Sequence, residues 1–277
     1  EPIVLASSNF INFDESGHLV LDNYGKIYLF WFEGTDIKYR KYTDGIWSDT
    51  FSPYSYDNYY DALSDIVVDN ANNFHCTLIT APYSNMSNTR ATYCIYNYET
   101  NSWGEKTVLS NNKTTSSKLC LDGNENVHVI WAQKANNDVP PDYCLKYNFF
   151  NDEDWNEPLT IMDKDVSKFF DILNTKNDII VFINKVLSQS ELAMYLYRKS
   201  KKFFPEYVQE QMWNVTLKYD FSAKYLYSSY QGSNSEIDDS DLYFIKKSLS
   251  DSTDIINEEI NENMFLSQNY PNPFNPM

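Results

Sequence analysis

The sequence predicts an all-β fold built from a repeated unit, and three observations carry that expectation. Apolar and polar residues alternate in short runs with the period of strands, and no stretch before residue 250 shows a capped helical period. Aromatic residues make up 17% of the chain, with 23 Tyr and 17 Phe, a bias that suits pleated, half-buried surfaces. A pattern of about 50 residues recurs along the chain.

The repeat opens on an apolar residue, an Asp, a short polar turn and an alternating strand. It reads LDNYGKIYLFWFE over Leu21–Glu33, VDNANNFHCTLIT over Val68–Thr80 and LDGNENVHVIWAQ over Leu121–Gln133. Asp22, Asp69 and Asp122 stand 47 and 53 residues apart, and Asn174 and Asp220 follow 52 and 46 residues later in weaker copies. The Asp is expected to hold the turn between the two inner strands by bonding its own backbone.

A third strand follows in each copy, from IKYRKY at Ile37–Tyr42 to YFIKKS at Tyr243–Ser248. An aromatic-x-acid signature then opens a fourth, at Trp47-Ser48-Asp49, Trp103-Gly104-Glu105 and Trp155-Asn156-Glu157, with Phe204-Pro205-Glu206 as a degraded version. The repeated Trp is expected to anchor neighbouring units. Four strands per unit, repeated radially, is the pattern of propeller blades.

The fifth unit lacks its aromatic-x-acid strand, and Glu1-Pro2-Ile3-Val4-Leu5 matches Glu157-Pro158-Leu159-Thr160-Ile161. The expectation is therefore a five-bladed β-propeller over residues 1–250, closed by the N-terminal strand. An acidic linker over 251–264 and a Pro/Asn-rich tail over 265–277 complete the layout. A two-sheet sandwich is the rival fold, and the 50-residue period disfavours it.

Net charge is −17 and the pI is near 4.5, a surface that repels phosphate backbones, so no nucleic-acid partner is expected. The charge also disfavours strongly anionic polysaccharides unless a local basic patch intervenes. No apolar run reaches the length of a membrane span. Cys76, Cys94, Cys120 and Cys144 form no CxxC pair. Buried free thiols are the expected state, with a Cys76–Cys94 bridge as the alternative.

The repeat resembles the sialidase-like and BNR-like propeller repeats of secreted bacterial proteins, over about residues 1–248. The S-x-D-x-G-x-T-W box of sialidases is absent, and Arg40, Arg90 and Arg198 do not form that family's arginine triad, two of them sharing one repeat position. Five-bladed arabinanase- and invertase-type glycosidases are the next resemblance, without their NDPNG-like or RDP-like signatures. Phe265–Pro276, FLSQNYPNPFNP, resembles the opening of the type IX secretion C-terminal sorting domain, a β-sandwich whose remainder does not follow in this sequence. That resemblance implies handling by the type IX machinery and a secreted or cell-surface location.

The loops expected at one end of the ring are long and aromatic. Tyr54, Tyr56, Tyr59, Tyr60, Tyr83 and Tyr143 are candidate ligand platforms, because sugars stack their C–H faces on flat rings. The alternative is that these rings cover the blade tops and prop one another. At the expected channel mouth the repeat aligns His18, Asp65, Lys118 and Phe170. A scaffold position repeats its residue, whereas this one varies, as a site built on a symmetric frame does. Glu33, Asp65 and His18 are the candidates for acid–base catalysis, and Lys118 for ligand binding. His75 and His128 share a position with Tyr28 and read as packing residues.

No cofactor is expected. The loop carrying Glu236, Asp238, Asp239 and Asp241 offers carboxylates for Ca²⁺ but lacks EF-hand spacing. The expected role is non-catalytic binding of a glycan or a surface partner. A glycan-active hydrolase or lyase and a structural surface protein are the alternatives.

Overall fold

The computed structural model describes residues 17–33, 36–54, 59–111, 113–135, 143–150, 154–175, 178–186, 191–199, 202–210, 212–220, 225–233 and 240–248. They form five antiparallel sheets that follow one another along the chain. The first holds β1 (His18–Leu21), β2 (Ile27–Glu33), β3 (Asp36–Thr43), β4 (Ile46–Trp47) and β5 (Phe51–Tyr54). The second holds β6 (Tyr59–Val68), β7 (Phe74–Pro82), β8 (Arg90–Asn97), β9 (Ser102–Trp103) and β10 (Thr107–Val108). The third runs β11 (Thr114–Leu121), β12 (Val127–Lys134), β13 (Tyr143–Phe150) and β14 (Leu159–Met162). The fourth runs β15 (Val166–Thr175), β16 (Asp178–Val186), β17 (Glu191–Lys199) and β18 (Lys202–Glu210). The fifth runs β19 (Met212–Asp220), β20 (Tyr225–Ser233) and β21 (Ser240–Ser248). The helical content among the described residues is one 3-10 turn, Tyr83–Asn85. No helix there is long and apolar enough to cross a membrane.

The first strand of each sheet touches the first strand of the next, in the order β1, β6, β11, β15, β19. The outer edge is broken at the aromatic-x-acid signature. Trp47 pairs with Tyr42, Trp103 with Tyr96 and Trp155 with Phe150. The next residue then turns its amide back onto the third strand: Ser48 N–H to the Lys41 carbonyl at 2.8 Å, Gly104 to Ile95 at 2.7 Å and Asn156 to Phe149 at 3.1 Å.

The core lies between sheets. Phe30 and Tyr39 of the first pack with Phe74 and Tyr96 of the second, against Trp103. Tyr93 of the second packs with Leu119 and Trp131 of the third, and Trp155 closes on Tyr93 edge-on at 5.0 Å. Leu145 and Tyr147 of the third pack with Ile172, Val181 and Ile183 of the fourth. Each side chain buried this fully contributes roughly 1.5–3 kcal/mol. Trp155 is thus an inter-sheet anchor and Trp103 packs beside the core of the first two sheets, whereas the ring contact described for Trp47 is with Tyr42 of its own sheet.

The Asp turn is built alike three times. Asp22 Oδ1 accepts the amides of Tyr24 and Lys26 at 2.9 and 2.8 Å, Asp69 Oδ1 that of Asn73 at 2.7 Å, and Asp122 Oδ1 those of Asn124 and Asn126 at 2.8 and 2.9 Å. The third residue after the Asp has positive φ in each: Gly25 at 78°, Asn72 at 66° and Glu125 at 67°. This is the three-residue hairpin loop that ends on a left-handed residue. The other carboxylate oxygen reaches the second strand, to Tyr28 Oη at 3.3 Å, His75 Nε2 at 3.2 Å and His128 Nε2 at 3.3 Å. His75 Nδ1 then meets Tyr93 Oη at 2.6 Å, and His128 Nδ1 meets Tyr147 Oη at 2.7 Å. Both histidines are buried members of a repeated Asp–His–Tyr lock, in keeping with a packing role.

The last two sheets depart from the repeat. Thr175 pairs with Asp178, so the fourth inner hairpin turns in two residues and Asn174 lies inside the strand, opposite Ile179. Asp220 pairs with Tyr225 as the last strand residue before its turn. Neither stands where Asp22, Asp69 and Asp122 stand, ahead of a three-residue loop. Glu1–Leu5 and the tail from residue 249 lie outside the described residues.

All four cysteines carry free, buried thiols. Cys76 and Cys94 sit directly opposite one another on β7 and β8.

Candidate functional site

Three of the sequence candidates converge on the inner strands. A register shift between Leu63 and Asp65 makes Ser64 the extra residue of a β-bulge in β6. The Ser64 hydroxyl accepts the Ser117 N–H at 3.0 Å and donates to the Ser117 carbonyl at 2.9 Å, stitching β6 to β11. Asp65 is thereby aimed at β11. Its Oδ2 accepts the Leu119 N–H at 3.0 Å, and its Oδ1 lies 3.7 Å from Lys118 Nζ.

Lys118 stands between two carboxylates. Burial works to lower its pKa, but Asp65 and then Asp171 outweigh that and hold the ammonium above its ordinary value. His18, on β1, lies close enough to feel both Asp65 and Lys118 and donates a hydrogen bond to the Leu63 carbonyl. Burial dominates there and pushes the imidazole below 6.5, so it is neutral near pH 7. The cluster is a row of imidazole, carboxylate, ammonium and carboxylate on four successive inner strands.

The structure corrects one detail. Phe170 is buried in the core between the third and fourth sheets, and its neighbour Asp171 faces Lys118 instead. The two-residue turn after Thr175 moves the fourth strand out of the register of the other three, and one residue of slip exchanges the faces of a strand. The cluster draws on the first residue of β1, the second half of β6 and β11, and the middle of β15. Tyr59 opens β6 six residues before Asp65, about 20 Å of extended chain.

The aromatic candidates divide. Tyr83 is exposed, on the 3-10 turn after β7. Tyr60 is buried at 9% exposure and offers no platform face. Tyr143 is half-buried beside the core of the third and fourth sheets. Tyr54 and Tyr59 sit on β5 and β6, Glu33 ends β2 and Asp241 lies on β21; only their strand positions are described. Tyr56, Glu236, Asp238 and Asp239 lie outside the described residues. Among the described residues, no group of three or more His, Cys, Asp or Glu is placed to hold a metal.

The sequence reading missed two polar features. Asp171 was hidden by the register slip. Asp61 on β6 is fully buried and meets Lys106 Nζ at 2.5 Å, while its Oδ1 has no hydrogen-bond partner among the described residues. Burial raises the Asp61 carboxyl to about 7 and lowers Lys106 to about 8. Thr80 and Thr92 share a 2.8 Å hydroxyl bond on neighbouring strands of that sheet. No sequence pattern pairs Asp61 with a lysine 45 residues away.

Comparison with known structures places this architecture. An ulvan lyase of polysaccharide lyase family PL25, bound to -[GlcA(1-4)Rha3S]-, aligns with 84% of this chain at 12% identity and a TM-score of 0.59. This chain spans 66% of that lyase. The phage phi92 endosialidase aligns with 83% of this chain, over 54% of its own, at 12% identity and a TM-score of 0.58. An endo-arabinase from Bacteroides thetaiotaomicron VPI-5482 aligns with 86% of this chain and 95% of its own, at 12% identity and a TM-score of 0.50. At these identities the likeness is one of fold. No curated protein matches the sequence. Residues 68–230 match the family described as F-box protein At3g26010-like, beta-propeller. With five successive antiparallel sheets, inner strands in contact and that match over more than half its length, the chain belongs to the F-box protein At3g26010-like β-propeller family.

Proposed function

We propose that this chain is an exported, non-catalytic propeller that binds a glycan through the His18, Asp65, Lys118 and Asp171 cluster and a rim that includes Tyr83. The observation that carries the reading is the convergence of four polar side chains of three kinds on successive inner strands of one repeated frame. Hydroxyl-rich ligands need such alternating donors and acceptors. Folds of this kind in an ulvan lyase, an endosialidase and an endo-arabinase support a carbohydrate as the ligand class. Binding is favoured over turnover because both Asp65 oxygens are engaged, one by the Leu119 amide and one facing Lys118.

The finer layout belongs to the same proposal. Residues 1–250 form five blades, Glu1–Leu5 supplying the strand that the three-stranded fifth sheet lacks, as β14 does for the third. Residues 251–264 link the ring to a type IX sorting segment that opens at 265, which accounts for a secreted or cell-surface location.

A glycan array probed with the full chain, with and without Ca²⁺, tests the reading, followed by a product assay on every hit. The expected result is binding without product, weakened by Lys118→Met and Tyr83→Ala. Product formation moves the case to a hydrolase or lyase and makes Asp65 and Glu33 the next variants. No binding by any glycan contradicts the proposal and favours a protein partner or a structural role.

A further inference from the structure

The charge on the inner strands narrows the ligand, granted the glycan-binding reading above. The described cation of the cluster, Lys118, lies 3.7 Å from Asp65 on one side and feels Asp171 of the adjoining β15 on the other, and the imidazole beside it is neutral near pH 7. The cluster therefore carries net negative charge. Asp61, the other acidic residue of β6, is already met by Lys106.

The arginines that would hold a carboxylate or sulfate are elsewhere. Arg40 is on β3 and donates to Thr50 Oγ1 at 3.0 Å. Arg90 is on β8 and donates to Asn88 Oδ1 and the Ser110 carbonyl, each at 3.4 Å. Arg198 is on β17, the third strand of its sheet. A bidentate guanidinium fork is the group that recognises planar anions, and no arginine stands on an inner strand. An acidic sugar seated against Lys118 would meet two carboxylates at close range, and the whole chain carries −17.

We infer that the cluster takes neutral, hydroxyl-bearing sugar units and rejects uronates, sialates and sulfated sugars. Lys118 then serves as a hydrogen-bond donor to hydroxyls, and Asp65, Asp171 and the second ring nitrogen of neutral His18 as acceptors, in place of a charge-pairing site. This separates the chain from neighbours of the same fold that are described with a glucuronate-containing substrate or as an endosialidase.

Titration calorimetry of the full chain at physiological salt decides it. The panel is cellohexaose, mannohexaose and arabinohexaose against hexagalacturonate, trisialic acid and a chondroitin sulfate hexamer. The expected result is binding of at least one neutral hexamer, with every acidic one at least tenfold weaker. In Asp171→Asn the acidic hexamers should gain roughly fivefold, as one repelling charge is removed. Acidic oligomers binding as tightly as neutral ones, or no gain in Asp171→Asn, overturns the inference while leaving the glycan reading in place. No binding by any oligomer overturns both.

Discussion

Glu125 Oε1, on the third sheet, accepts the backbone N–H of Asn70, on the second, at 2.9 Å. Asn72 Oδ1 does the same for Asn23 N–H of the first sheet at 2.8 Å. Both acceptors belong to the positive-φ residue of their Asp turn, so the backbone strain of a non-glycine there is tied to a clasp between sheets. Gly25 holds the matching place in the first sheet, and a Cβ built there meets nothing within 4 Å.

The clasp predicts an ordering of substitutions at Glu125. Glu125→Gln keeps the acceptor and should stay within about 0.5 kcal/mol of the parent. Glu125→Ala keeps the strain and loses the bond, so it should fall below Glu125→Gly by about 1 kcal/mol. Urea denaturation of the three variants measures the order.

Breaking the Asp61–Lys106 pair from one side should be severe. Lys106→Met leaves a fully buried carboxylate without its cation and should cost about 3 kcal/mol. The double variant Asp61→Val/Lys106→Met should recover most of that loss, since an apolar pair of similar volume replaces two desolvated charges. Equal losses in the single and double variants would show that the pair does not couple.

Acid stability should carry the signature of His75. Its imidazole is pushed below 6.5 by burial, against the pull of Asp69. The unfolded chain therefore binds more protons just below pH 6.5, and this group lowers stability as pH falls through that window. Asp61 acts in the opposite sense between 3.8 and about 7, because its carboxyl is raised. Comparing the parent with His75→Gln isolates the histidine. Between pH 7 and 5.5 the parent should lose up to about 1 kcal/mol more than the variant by chemical denaturation.

Thiol titration should find nothing in the native protein and four thiols after denaturation. Burial holds the Cys76 thiol well above its ordinary pKa, and the thiolate is the species that reacts. Two thiols after denaturation would show one bridge, and peptide mapping would then test the opposed pair Cys76 and Cys94.

The strand pattern and the Asp turns were legible because their chemistry is local: Asp22, Asp69 and Asp122 each bond amides within four residues. The anchor at Trp155 was legible because Trp recurs at that place in three units, although Trp47 meets Tyr42 of its own sheet. The clasp was not, because its acceptor position holds Gly, Asn and Glu in turn and its partner is about 50 residues away. The Asp–His–Tyr lock was half visible. Tyr39, Tyr93 and Tyr147 stand two residues before the cross-strand partners of Tyr28, His75 and His128, a relation that only register reveals. At the candidate site, alignment from Asn174 led to Phe170, since a shorter hairpin leaves no mark in a period of about 50 residues.

The most direct test of the inner-strand site uses the three histidines of the chain as reporters. Long-range ¹H–¹⁵N imidazole spectra would be recorded during titration with the tightest-binding neutral hexamer. The account predicts that the His18 signals move with saturation while those of His75 and His128, locked between Asp and Tyr, stay in place. Saturable binding that leaves His18 unmoved would place the ligand elsewhere on the propeller and contradict the site.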